Sequence, residues 1–92
     1  MQIIYSNHAV KQMFQRSIFT TEVEFVLQHG EIINDYPGDK PYPSRLMFAF
    51  YGGRPLHVVC GFNLKEDVSI VITVYEPTSE FWEDDFVTRK IL

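Results

Sequence analysis

Between Ser44 and Tyr75 three apolar runs follow one another with turn-forming residues between them. They are SRLMFAFY, then LHVVCGF beyond Gly52-Gly53, then VSIVITVY beyond NLKED. Each run is rich in β-branched and aromatic residues and has the length of a strand, and the breaks are short enough for hairpins. This part of the chain therefore predicts an antiparallel meander, with strands over Ser44 to Tyr51, Leu56 to Phe62 and Val68 to Tyr75.

The pattern also predicts a register, because residues that face each other across an antiparallel pair share one side of the sheet. A two-residue Gly52-Gly53 turn would set Ala49 opposite Leu56 and mix the apolar with the polar side. Pairing Ala49 with His57 and Phe48 with Val58 keeps them apart, and needs a three-residue connection over Gly52 to Arg54 with a bulge. The next hairpin then pairs Val58 with Ile72 and Cys60 with Ile70, and sets His57 opposite Thr73. On this register Leu46, Phe48, Phe50, Leu56, Val58, Cys60 and Ile70 face the core. Arg45, His57, Thr73 and Tyr75 share the outer face.

Two amphipathic segments come before the meander. In SNHAVKQMFQRS, Ser6 or Asn7 can cap a helix ending near Ser17; Val10, Met13, Phe14 and Ser17 form one stripe beside Ala9, while His8, Gln12 and Arg16 fall on another. In TTEVEFVLQHGE, Thr21 or Thr20 can cap, Thr21 and Glu24 have capping-box spacing, Val23, Val26 and Leu27 make the buried stripe, and Gly30 supplies a left-handed stop. Ile3 to Tyr5 is read as a short strand or as packing, Ile32-Ile33 as a short strand, and YPGDKPYP as a rigid loop. The expected fold class is α+β: two N-terminal helices on a curved antiparallel sheet of three to four strands.

The chain has 92 residues, which fits one domain over residues 1–92, with residues 76–92 as a tail packing on or extending the sheet. A lone cysteine, Cys60, excludes an intrachain disulfide and argues for a reducing compartment. With no secretory leader and no apolar stretch long enough for a membrane span, a soluble cytoplasmic protein without a membrane partner is expected. The net charge of −4, with Glu80, Glu83, Asp84 and Asp85 gathered near the end, argues against strong general nucleic-acid binding.

Walker loops, HExxH, cysteine-pair and Gly-x-Ser-x-Gly motifs are absent from the sequence, so neither a metal nor a cofactor is expected. The strongest chemical cluster is His57 with Thr73 and Tyr75: a histidine able to move protons near neutral pH, a hydroxyl to orient it and a phenol beside them. His8 and Arg16 are further candidates. Arg45, Arg54, Arg89 and Lys90 are the cations available for phosphate.

Several stretches together resemble a family of small microbial proteins known as domain of unknown function 4258. They are SNHAVKQMFQRSIFTTEVEFVLQHGEII, YPGDKPYPS, GGRPLHVV, ITVYEP and FWEDDFVTRK. The motif positions are His8, Arg16, Asp39, His57, Thr73, Tyr75, Pro77 and Arg89. That family is similar in layout to the RelE and BrnT toxins, within the barnase- and RelE-like metal-independent ribonucleases. The resemblance implies a RelE/barnase-like sheet whose open face meets RNA, and a toxin that a cognate antitoxin neutralises. In that reading His57 or His8 serves as base and acid, Arg16, Arg45 or Arg89 stabilises the phosphorane, and Tyr75 stacks on a base or orients the phosphate. The competing expectation is a non-enzymatic interaction domain that binds a protein, or itself as a homodimer, through Phe81, Trp82 and Phe86.

Overall fold

The computed structural model describes residues 1–91; Leu92, at the end of the expected domain and of its tail, lies outside the described residues. The chain runs β1 (Gln2–Tyr5), α1 (Asn7–Arg16), α2 (Thr20–His29), β2 (Glu31–Tyr36), β3 (Ser44–Tyr51), β4 (Arg54–Asn63) and β5 (Val68–Tyr75). The strands form one sheet in the order β1-β5-β4-β3-β2. The α+β class and the two helices are as expected, but the sheet has five strands and is mixed. β1 lies parallel to β5, with Ile4 beside Ile70, and β2 pairs antiparallel with β3. The short strand at Ile32-Ile33 extends to Tyr36, and a register shift between Ile32 and Asn34 breaks the alternation that would have revealed it.

The helices cover one side of this sheet. Ser6 caps α1, its Oγ accepting the Ala9 N–H at 3.0 Å, and Ser17 ends the helix in the left-handed region at φ 54°. Only Ala9 and Met13 of α1 are buried; Val10 and Phe14, expected on the core stripe, point to solvent. The sheet needs only a narrow strip of so short a helix, and Ala9 and Met13 fill it. In α2, Val23 and Val26 are buried as expected. The N-cap there is Phe19, which makes no side-chain capping bond, so neither threonine caps. Gly30 is extended, at φ −72°, rather than left-handed. Its lack of a Cβ serves close packing: a Cβ would come 2.5 Å from the Val26 carbonyl oxygen and 2.8 Å from that of Phe48.

The meander strands stand where the sequence predicts, but the register differs. Gly52 and Gly53 have φ of 58° and 82°, a two-residue turn that pairs Tyr51 with Arg54 and hence Phe48 with His57 and Ala49 with Leu56. The second hairpin pairs His57 with Tyr75 and Val59 with Thr73, then slips so that Cys60 faces Val71 and Gly61 faces Ile70. The predicted pairs of His57 with Thr73, Val58 with Ile72 and Cys60 with Ile70 do not form. The premise that failed is that only one side of the sheet is apolar. Met47, Leu56, Val58, Cys60, Val71 and Val74 pack beneath the helices. Leu46 and Phe48 are also buried, on the opposite side with His57. A sheet covered on both faces gives no clean alternation to read.

Arg54 fastens the helical layer to β4. Its guanidinium donates to the carbonyls of Ser17 at 3.0 Å and Arg16 at 2.6 Å, to Glu76 at 3.0 Å and to the buried Glu22 at 3.4 Å. It thus supplies the end of α1 with donors that the helix lacks.

Candidate functional site

The second layer on the sheet is the stretch after β5. Phe81 to Lys90 fold back as a small closed loop: Trp82 bridges to Arg89, and the Lys90 N–H donates to the Phe81 carbonyl at 2.8 Å. Asp85 organises its tip, accepting the N–H groups of Val87 and Thr88 at 2.9 Å and the Thr88 hydroxyl at 2.8 Å. Those hydrogen bonds, led by the one from the Thr88 N–H, hold its carboxyl below the usual range. Phe86 sits at φ 58°, and its carbonyl meets His57 in the sheet.

His57 is fully buried, at 0% exposure. Its Nε2 lies 2.7 Å from the Phe86 carbonyl oxygen and its Nδ1 3.0 Å from the Tyr75 hydroxyl. A carbonyl can only accept, so Nε2 carries the proton, Nδ1 is the acceptor and Tyr75 donates to it. The Trp82 ring stands edge-on to the imidazole at 4.5 Å between centroids, with Phe48 on another side at 5.6 Å. Burial lowers the His57 pKa from the ordinary 6.5, and the hydrogen bond to Phe86 offsets part of that. The imidazole is therefore neutral at pH 7, locked in one tautomer and covered by the C-terminal loop.

That linkage predicts a pH dependence. As pH falls through 6.5 the unfolded chain takes up a proton on residue 57 more readily than the folded chain does, so stability drops on the acid side and is unaffected above it. The urea midpoint of the wild type should fall between about pH 7.5 and about pH 5.5, and His57→Gln should flatten the change. Parallel curves for the two proteins would mean that His57 is not held neutral.

Beside this buried histidine a groove of about 390 Å³ opens between the loop and the sheet. Asn34 and Tyr36 of β2, Leu46 of β3, Val59 of β4, Tyr75 of β5, and Trp82 and Arg89 of the loop line it. Thr73 lies across from Val59 on the same side. Burial pushes the Tyr75 phenol above 10.0, Tyr36 adds to the rise and the Arg89 guanidinium opposes it. The guanidinium stacks over Phe81 at 5.5 Å and over Trp82 at 5.7 Å. Two phenols, one cation and an indole thus line a space within the volume range of small-ligand pockets.

The expected site residues divide between the two sides of the sheet. His57, Thr73, Tyr75 and Arg89 come together on the groove side, with Lys90 next in the chain. His8 and Arg16 are exposed on α1, on the helical side. Arg45 pairs with Asp35 at 3.0 Å and lies 4.7 Å from the centre of the Phe62 ring, and Arg54 is held in the helix-end network. Asp39 accepts a hydrogen bond from the Ser44 hydroxyl in the β2–β3 connection, and Pro77 is buried. Trp82 and Phe86, expected to offer a partner surface, turn inward instead, onto His57 and onto Phe48 and Phe50. The residues that sequence reasoning missed are Asn34 and Tyr36. Their two-residue spacing is a strand signal, hidden because Tyr36 reads as the start of the proline-rich loop.

Among the described residues no cluster of histidine, cysteine and acidic side chains is placed to hold a metal, and no helix is long and apolar enough to cross a membrane. The sequence model of one family, described as Domain of unknown function (DUF4258), matches residues 5–76, which is most of the chain. No curated protein and no solved structure shows a significant match.

Proposed function

We propose, from the premise that the chain belongs to the DUF4258 family, that it acts on single-stranded RNA in the groove between β2, β5 and the C-terminal loop. The reaction is metal-independent cleavage through the adjacent 2′-hydroxyl, in the manner of the RelE-like toxins to which the family is similar in layout. The observation that carries this reading is the Tyr75–His57 pair: a phenol at the groove, hydrogen-bonded at 3.0 Å to a buried imidazole in its free-base form. As the 2′-hydroxyl proton passes to the Tyr75 oxygen, the phenolic proton passes to Nδ1 of His57. The 2′-oxygen bonds to phosphorus, and the bond to the 5′-oxygen breaks, that oxygen taking a proton from water. The products are a 2′,3′-cyclic phosphate and a 5′-hydroxyl, and the imidazolium returns its proton to solvent through Tyr75. Arg89 offsets the charge that gathers on the phosphorane, and Tyr36 offers a ring on which a base can stack.

In this scheme His57 is a positioning and proton-holding residue that never touches substrate. The net charge of −4 fits binding through stacking and one cation better than binding through a broad phosphate-neutralising surface. Cleavage of single-stranded RNA by the purified chain in excess chelator, leaving cyclic-phosphate ends, is the expected result. Equal cleavage by Tyr75→Phe purified the same way would assign the activity to a contaminant. A second reading, a protein-interaction domain, is favoured by a separate observation, the exposed aromatic residues of α1 and of the connection after it.

A further inference from the structure

Helix α1 carries two faces, and the fold uses only one. Ala9 and Met13 are buried against the sheet, and Gln12 accepts the Val74 N–H at 2.8 Å. On the other face Val10 is 51% exposed and Phe14, one turn on, is 88% exposed. Phe19 follows across the short connection, 66% exposed, at an N-cap where a serine or threonine would bond the helix and this phenylalanine does not. Three large apolar side chains thus stand in water on α1 and on the connection that follows it.

The charges that α1 itself carries have one sign. Between Met1 and Thr21 the chain contains Lys11, Arg16 and His8 and no aspartate or glutamate, although the whole chain has a net charge of −4. The acids nearest the end of α1, the buried Glu22 and the exposed Glu76, are both paired with Arg54, which leaves Lys11 and Arg16 without an acidic partner among the ion pairs of the described residues.

We infer that this face of α1 docks an acidic amphipathic helix of a partner protein, whose apolar stripe packs on Val10, Phe14 and Phe19 and whose carboxylates meet Lys11 and Arg16. Spacing and charge select this occupant. Val10 and Phe14 at i and i+4 form the ridge that another helix takes into its own groove. A second copy joined about a two-fold axis would bring Lys11 and Arg16 against their own counterparts, which like charges oppose. RNA would match the cations but has no aliphatic surface for Val10. The inference stands apart from the cleavage reading, because α1 and the groove lie on opposite sides of the sheet.

The test is fluorescence anisotropy on the full chain with a labelled synthetic helix carrying leucine at i, i+3, i+4 and i+7 and glutamate on its flanks. The expected result is micromolar binding that weakens at least ~10-fold in Phe14→Glu and several-fold when salt rises from about 0.05 M to about 0.5 M. Far-UV circular dichroism of Phe14→Glu should match the wild type, since the ring touches so little of the fold. Any one of four results would overturn the inference: no binding of the acidic helix, equal binding of the same helix with lysine flanks, equal binding by Phe14→Glu, or displacement of the peptide by an oligouridylate. Sedimentation as a dimer that Phe14→Glu splits would assign the face to a second copy instead.

Discussion

Replacing Trp82 with alanine will lower the stability of the fold by about 3–5 kcal/mol, the range for removing a large buried aromatic ring. Trp82 is only 7% exposed, although it sits in a segment with no regular secondary structure. Its ring closes the C-terminal loop over His57 at 4.5 Å, and its backbone bridges to Arg89. Truncation therefore removes the contact area of an indole and opens water to a histidine that has lost its cover. Domains of this size have about 5–15 kcal/mol in total, so the loss is a large share. Urea unfolding measures it, and hydrogen exchange at the Glu83 and Phe86 amides, which bond within the loop, follows the loop itself. A loss under about 1 kcal/mol would mean that the loop is an appendage and not the second layer of the sheet.

The second large effect is on activity. Tyr75→Phe keeps the ring and removes the one oxygen that joins the groove to His57. Cleavage of RNA should fall by about 10²–10³, within the range for removing a general acid–base group. The fold should lose about 1–3 kcal/mol, because Nδ1 of His57 is left buried without a donor. These two losses separate. His57→Gln, which can still bond through its amide, should retain more stability than activity. If Tyr75→Phe unfolds, Arg89→Lys gives the second reading: it keeps the charge, loses the planar stack over Trp82 and Phe81, and should lower cleavage without disturbing Tyr75.

How much of this was legible in the sequence depends on which side of the sheet is considered. The three meander strands and the two helices follow from residue type and turn signals, and so does the inward face of Leu56, Val58 and Cys60. The face of β3 does not. Leu46 and Phe48 look like core, and they are core, but of the layer made by Trp82 and Phe86 rather than of the helical one. No periodicity distinguishes two apolar sides, so the pattern predicts a turn one residue longer than the Gly52-Gly53 turn that forms. The slip between Val59 and Cys60 was equally hidden, since Val71 and Ile72 are interchangeable in any hydrophobic pattern. The gathering of His57, Thr73 and Tyr75 on one face survived both errors, because each residue kept its outward parity. That His57 lies under the loop rather than in the open could not be read, because it depends on how EFWEDDFVTRK folds back. The exposure of Phe14 was missed for a plainer reason: a helical stripe shows which residues lie together, not whether anything covers them.

The groove itself can be tested without relying on turnover. Amide chemical shifts of the isotopically labelled chain would be followed during titration with a uridine dinucleotide lacking the attacking 2′-hydroxyl. Binding as proposed predicts saturable shifts at Asn34, Leu46, Val59, Thr73 and Arg89, the strands and loop that enclose the groove. Silence at those amides, or shifts confined to α1, would contradict it.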